Sequence, residues 1–559
     1  MTKHLEKNHA ITYTQAVADR AKENESVAVA PQPRATSSLV QQTVVEAYDR
    51  NRPYDNKSNR KLAIDQALLH MIVGDLQPFS VVEDKWFRNL LRILDSRYQL
   101  PSRRTVTRTL LPELYKQEKA RVKGLLDTSD SVSLTTDIWT SRRTQAFITV
   151  TAHFVSNDWK LHSVVLATVR MTESHTAVNI KDELEAVIHD WGLQEKVFAI
   201  VTDNASNMVA AVNLLKVRHV PCYAHTLNLV VNDTLKELPH LSALRKKVRG
   251  IVSHFHSSVK SSEELEQAQR QQGADPLKLI IEVDTRWNST FYMFERYLKL
   301  HKEVTTALCL VGKKDMCLEE VDMVHMKEAV DALQPFAMAT TEMSGEKFTT
   351  LSFVVPMVQM LHECLCEFSS TNPVSSQLQA QLRKRFPSPE TAFIWAAATY
   401  MDPRFMRHGF TDAGNAKEVE EKLKKRMGPT QEEADRQQTA EKTASPVCST
   451  SGLWSKYDAK VKTILATSTK SSVQPDMELR RFKEEQPIPR HEDPLQWWQS
   501  FSQSSPRMGK LARKYLSCPA TSVPSERLFS KAGELVCQRR AAIGENNIDM
   551  VLFLNKNLP

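Results

Sequence analysis

Glycine is scarce, 14 in 559 residues, against ~7% in an ordinary globular chain. Phosphate cradles need glycine at fixed spacing. The nearest approach to a P-loop, Gly409 to Gly414, is followed by Asn415 where a lysine is required. Walker-type ATPases and Rossmann dinucleotide binders are therefore poor fits. Long apolar runs are also lacking. No stretch approaches the ~18 residues of a membrane span, and Met1-Thr-Lys-His-Leu-Glu-Lys has no apolar signal core. Neither membrane insertion nor secretion is expected. The eight cysteines are scattered, and Cys364 and Cys366 are spaced for neither a zinc knuckle nor a redox pair. They read as reduced thiols of an intracellular protein.

What is present is ordinary soluble material in quantity: 41% hydrophobic and 25% charged residues, in a chain about four times the ~150-residue prior for one domain. Basic residues exceed acidic ones by 8, which permits nucleic-acid binding without demanding it. The excess is concentrated between Arg507 and Arg540, where eight basic residues face two acidic ones. A phosphate backbone and a solvated helix face are equally good readings of that stretch.

Pattern divides the chain. Residues 11–60 read as a linker, most clearly from Ala21 to Ser38. Helical stripes at Leu62 to Val73 and Trp86 to Leu94 predict a small helical domain over 61–128. Ser131 to Trp139, Ala146 to Ser156 and Leu161 to Met171 are short, β-branched and separated by polar turns, as in a strand meander. A helical stripe from Val178 to Ile188 follows, and then the apolar run Val197 to Val201, which suits a strand buried on both faces. A mixed α/β sheet is expected over 129–234, helices over 235–426, a linker with a helix over 427–490, and a C-terminal region over 491–559.

One aspartate lies near the end of a strand and another ends one. Asp137 shares a face with Trp139, and Asp203 closes the buried strand in Ile200-Val-Thr-Asp203-Asn. Open α/β sheets bind ligands beyond the carboxyl ends of their strands, so both could meet at a metal. Asp203 could equally cap the following helix.

Larger blocks of sequence bear on that choice. Ser133-Leu-Thr-Thr-Asp137-Ile-Trp139, Val201-Thr-Asp203-Asn-Ala-Ser-Asn207, Cys222-Tyr-Ala-His225-Thr-Leu-Asn228 and Arg286-Trp287-Asn288-Ser289-Thr290 occur in order. They are followed by Asp493-Pro-Leu-Gln-Trp497-Trp498 and Ser525-Glu526-Arg527-Leu-Phe-Ser530. Together they resemble the landmarks of hAT-superfamily DNA transposases from about residue 61 to 559, including proteins of the zinc finger BED type. The resemblance implies an RNase H-like catalytic core interrupted by a large all-helical insertion, with a small N-terminal helical domain. It also implies that Asp137, Asp203 and Glu526 converge to hold Mg2+ or Mn2+ for DNA strand cleavage and joining. Glu526 alone would also read as a first-turn glutamate facing a helix dipole.

By the same resemblance Trp139, His225, Arg286, Trp287 and Arg527 contact DNA, with Trp287 stacking on a displaced base, although core packing is an alternative for Trp287. Cys222 and His225 form no zinc half-site in this reading. Thr2-Lys-His4-Leu-Glu-Lys-Asn-His9 resembles the closing half of a BED finger within residues 1–10. No cysteine precedes Cys222, so His4 and His9 supply two of four zinc ligands, and Zn2+ is expected only with an upstream half. The expected protein is nuclear, binds DNA and forms a homodimer or higher assembly. It is either an active DDE transposase or a domesticated transcriptional regulator with unused chemistry. Association is expected to rest on Trp497, Trp498 and the apolar terminus Val551 to Leu554, unless these residues only finish the internal core.

Overall fold

A computed structural model describes residues 52–141, 144–283, 286–345, 348–368, 371–427, 473–535 and 544–558. His4, His9, Arg539 and Arg540 lie outside them. Two compact units emerge, one from residues 52–65 and 82–101 and the other from 66–81 and 102–558. Helix α1 (Asn59–Gly74) contributes to both.

In the smaller unit Asp65 accepts hydrogen bonds from Lys61 and from the Tyr98 hydroxyl, both at 2.7 Å. Helix α2 (Lys85–Leu94) buries none of its residues.

The larger unit is built on one five-stranded sheet of order β3-β2-β1-β4-β5. Strands β1 (Val132–Thr140), β2 (Ala146–Val155) and β3 (Leu161–Met171) form the antiparallel meander, within a residue of the bounds read from pattern. After α4 (Ala177–Asp190), capped by the Thr176 side chain, β4 (Val197–Thr202) enters parallel to β1 and is buried between it and β5 (Arg218–Pro221). The pattern did not show β5, whose four residues Arg-His-Val-Pro are too short and polar to read as a strand. Helix α5 (Ser206–Leu214) makes the crossover between β4 and β5.

The faces of β1 differ. Ser133 and Thr135 are fully buried and meet the polar residues Thr151 and His153 of β2 in register. Thr135 hydrogen-bonds Thr151, and Thr151 lies 2.9 Å from the His153 ring. Buried hydroxyls must pair or cost free energy, so the Thr135–Thr151–His153 chain helps fix register, while the Ser133 Oγ finds no hydrogen-bond partner among the described residues.

The chain then leaves the sheet. Helices α6 (Tyr223–Glu237), α7 (Pro239–Ser257), α8 (Val259–Gln271), α9 (Trp287–Lys299) and α10 (His301–Leu310) lead to the long α11 (Glu320–Met343). Helices α12 (Val354–Phe368), α13 (Pro373–Arg385), α14 (Phe393–Met401) and α15 (Ala413–Lys424) complete this part. Their apolar faces share one core with β4, which makes them an insertion packed on the sheet. The chain returns through α16 (Val473–Glu484), α17 (Pro494–Phe501), α18 (Pro506–Leu516), α19 (Val523–Leu535) and α20 (Glu545–Asn557).

Helix α20 covers edge strand β3. The Asn557 side chain accepts from the Val165 amide at 2.9 Å and donates to its carbonyl at 2.8 Å, while Asp549 accepts from the Thr168 amide at 2.6 Å. An edge strand left open is a template for pairing with another chain, and here side chains close it. Phe553 is fully buried, with Tyr115 of α3 (Leu111–Asp127) at 4.9 Å and Trp191 at 5.9 Å between ring centres.

Two outcomes follow. Phe553→Asp is expected to unfold the chain, seen as loss of the cooperative melt by circular dichroism, and not to yield a folded monomer in light scattering. Burial raises the Asp549 carboxyl from the usual range to about 6, with the Thr168 amide pulling it back. The folded state thus holds this proton more tightly than the unfolded chain, so stability falls as pH rises from about 4 through about 6. Asp549→Asn keeps an acceptor for Thr168 and should lose that fall, on the order of 2 kcal/mol, in urea melts at pH 4 and pH 7.

Candidate active site

Parallel register brings the two aspartates together. The parallel pairing of β1 with β4 ends at Thr135 and Val201, and Asp137 and Asp203 each lie two residues further on. Asp203 follows the end of β4, and its charge acts on Asp137 across the β1–β4 pair. The third carboxylate comes from α19, which lies across the hydroxyl face of the sheet. Ser525 meets Thr135 at 2.6 Å, and Phe529, one turn on, meets Trp139 at 5.8 Å between ring centres. Glu526, beside Ser525, faces the aspartates. Burial first, then the charges of Glu526 and Asp203, push Asp137 up to about 8, against a hydrogen bond from the Ile138 amide.

Glu526 is also raised by burial and by Asp203, while Arg286, His225 and the Ser522 hydroxyl draw it back. Thus Asp137, Asp203, Glu526, His225 and Arg286, dispersed over the chain, occupy one electrostatic site.

The carboxylates are held by local bonds. Asp137 Oδ1 accepts from the Ile138 amide at 2.8 Å, and Asp203 Oδ1 from the Ala205 amide at 3.2 Å. Asp203 therefore closes a turn leading into α5 and is not its cap; that position is Ala205, which makes no side-chain cap bond. Among the described residues no three His, Cys, Asp or Glu side chains are arranged to hold one ion. The donor set fits a hard dication in charge and oxygen chemistry.

Cys222 is central to the scaffold. Its sulfur caps α6 by accepting the His225 amide at 3.5 Å and also accepts the Ser522 amide at 3.3 Å. The Tyr223 amide donates to the Ala520 carbonyl at 2.9 Å, and the Ala520 amide to Thr350 at 2.9 Å. These bonds join α6, the insertion and the segment before Glu526. Asn228, one turn beyond His225 on α6, accepts the Trp287 amide at 3.2 Å and so places Arg286 at the site edge. Ser522, Ser525, Thr135 and Thr350 were not singled out from sequence, because small hydroxyl residues carry no pattern until partners from distant segments meet them.

The aromatic assignments change. Trp139 is 8% exposed and stacked on Phe147 at 4.7 Å, and Trp287 is 3% exposed with Phe336 at 6.4 Å. Neither ring offers a free stacking face, and the Trp287 Nε1 is buried without a partner. Arg527 is exposed but donates to the Ser344 carbonyl at 2.9 Å.

The basic stretch is partly internal. Arg507 is buried 3.8 Å from Glu478, and Arg513 lies over the Trp159 ring and bonds Asn157. The aromatic pair is internal as well. Trp498 is fully buried, donates to the Met401 carbonyl at 2.8 Å and stacks on Phe482 at 5.3 Å, while Trp497 stacks on Phe501 at 4.5 Å. With Val551 and Phe553 also buried, Trp498, Val551 and Phe553 finish the chain's own core, while Trp497 stays half-exposed.

A mixed sheet of this order, with one carboxylate within β1 and another just past β4 and split by a helical insertion, defines an RNase H-like fold. Three family models match in chain order: the ZBED1 RNase-like domain at residues 135–224, the ZBED1 RNase-like helical domain at 220–329, and the hAT family C-terminal dimerisation region at 478–558. Over most of its length the chain is similar to zinc finger BED domain-containing proteins and to hAT transposases. It is 28% identical to human zinc finger BED domain-containing protein 4 over 91% of this chain and 45% of that protein. Mouse zinc finger BED domain-containing protein 6 is 26% identical over 93% and 57%, and a putative AC transposase of Zea mays 24% over 87% and 64%. The chain thus spans about half to two-thirds of the length of these relatives.

The scaffold sets thiol reactivity. Burial pushes Cys222 up to about 11, against hydrogen bonds from Ser522 and His225, whereas Cys309 and Cys366 are exposed. Iodoacetamide at pH 8 should label Cys309 and Cys366 in the folded protein and Cys222 only after unfolding, read by peptide mass spectrometry.

Proposed function

We propose that this chain is a self-associating, DNA-binding protein of the nucleus in which Asp137, Asp203 and Glu526 hold Mg2+ or Mn2+ to cut and join DNA strands. The supporting observation is the convergence of three carboxylates from β1, β4 and α19 with Arg286 and His225 beside them. When bound, two such ions would stabilise the attacking and leaving oxygens of an in-line phosphoryl displacement.

The chain's own residues supply the rest. Thr135 and Ser525 fix the helix that presents Glu526, and the Cys222 to Ser522 contact fixes its approach. Arg286, exposed beside Glu526, is placed to take a DNA phosphate. Self-association is supported by the matched dimerisation region, through surfaces other than Trp498 and Phe553. No helix among the described residues is long and apolar enough to cross a membrane. His4 and His9 would complete a zinc finger begun upstream.

A second reading, a DNA-binding regulator with unused chemistry, is favoured by the absence of an assembled three-ligand cluster among the described residues. Mn2+ binding followed by electron paramagnetic resonance, together with metal-dependent cleavage of labelled duplex DNA, separates the two. The first reading expects both activities. It also expects Asp137→Asn, Asp203→Asn and Glu526→Gln each to lower cleavage about a hundredfold or more while DNA binding persists. DNA binding without Mn2+ affinity or cleavage in the wild-type chain would establish the second.

A further inference from the structure

The helical insertion carries a groove outside the carboxylate site. It runs between α11 and α12, with a volume of about 950 Å3. Methionine forms much of its surface: Met357 is buried, while Met338 and Met360 are 66% and 46% exposed. Thioether side chains adapt to varied apolar partners, and apolar exposure concentrated in one concave place marks an interaction site.

Charge narrows the occupant. Glu328, Asp331, Glu342 and Glu367 line the groove against two cations, Lys327 and Arg490. None of the four carboxylates forms an ion pair with the described residues. Such a rim repels phosphate and excludes nucleic acid as occupant. Pro335 lies within α11 and has no amide hydrogen, so the Asp331 carbonyl lacks its usual donor four residues on, and both residues line the groove. The groove therefore presents an apolar floor and surplus negative charge. On α11 its lining runs from Val324 to Glu342, about 27 Å at 1.5 Å per residue, which suits a guest helix of roughly five turns.

We propose that this groove docks an amphipathic helix of a partner protein, with its apolar face on the methionines and its lysine- or arginine-bearing flanks against the carboxylates. This is helix-in-groove recognition, with charge setting orientation and specificity.

Fluorescence anisotropy of the full chain with a labelled model peptide tests the proposal. The peptide carries leucine and tryptophan at helical i, i+3, i+4, i+7 spacing and lysine elsewhere, and its twin has glutamate for lysine. Micromolar, salt-weakened binding of the lysine peptide is expected, at least tenfold tighter than that of its twin. The exposed-site double variants Met338→Glu with Met360→Glu, and Asp331→Lys with Glu342→Lys, should each weaken it tenfold or more with an unchanged circular dichroism spectrum. Equal affinity for both peptides, unchanged binding by the charge-reversed variant, or no saturable binding in the micromolar range overturns the proposal.

Two results would overturn the partner assignment itself. Loss of self-association in the methionine variant would make a second copy the occupant. Binding gained only when Lys456, Lys460 and Lys462 of the full chain are changed to Glu would make this chain's own lysine-bearing stretch the occupant.

Discussion

The hydroxyl contact between Thr135 and Ser525, 2.6 Å long and spanning 390 residues of sequence, is the hinge of this architecture. Both groups are buried, so each costs free energy unless the other is in place. That requirement sets α19 at one height across β1. Once Ser525 is seated, Glu526 faces the aspartates and Phe529 meets Trp139. A helix held only by apolar packing could slide by part of a turn at little cost, and Glu526 would then miss the site.

The arrangement works against electrostatics. Three carboxylates crowd a half-buried place, and burial and repulsion raise Asp137 and Glu526 above their usual range. Neutral bonds hold the scaffold regardless: Cys222 to Ser522, Tyr223 to Ala520, and Ala520 to Thr350. Compensating charge comes from Arg286, delivered by the insertion through the Asn228 contact to Trp287. The insertion is thus part of the site. The terminal region is equally integral, since Asn557 and Asp549 close the edge of β3 and Trp498 fills the core between α14, α16 and the β2–β3 turn.

Much of the core could be read from pattern. The β-branched runs of β1, β2 and β3 announce their bounds, and the unbroken apolar run of β4 announces burial on both faces. β5 could not be read, because four residues carry no period, and its identity comes from pairing with β4. The hydroxyl face of β1 was illegible for another reason. Alternating serine and threonine resemble a solvated face, and only a second polar surface arriving from β2 and α19 turns that face into an interior. Trp139, Trp287 and Arg507 illustrate the converse: residue types suited to nucleic acid are taken up by burial against Phe147, Phe336 and Glu478.

By itself the sequence determined the local elements, because periodicity is a property of neighbouring residues, and its resemblance to hAT transposases implied the fold class and the candidate carboxylates. Tertiary structure alone decided that Asp137, Asp203 and Glu526 share one field with His225 and Arg286. It also decided that Trp498 and Phe553 serve the chain's own core. The reason is physical: convergence and burial depend on which distant surfaces meet, and closing loops of such length costs free energy that no local pattern records.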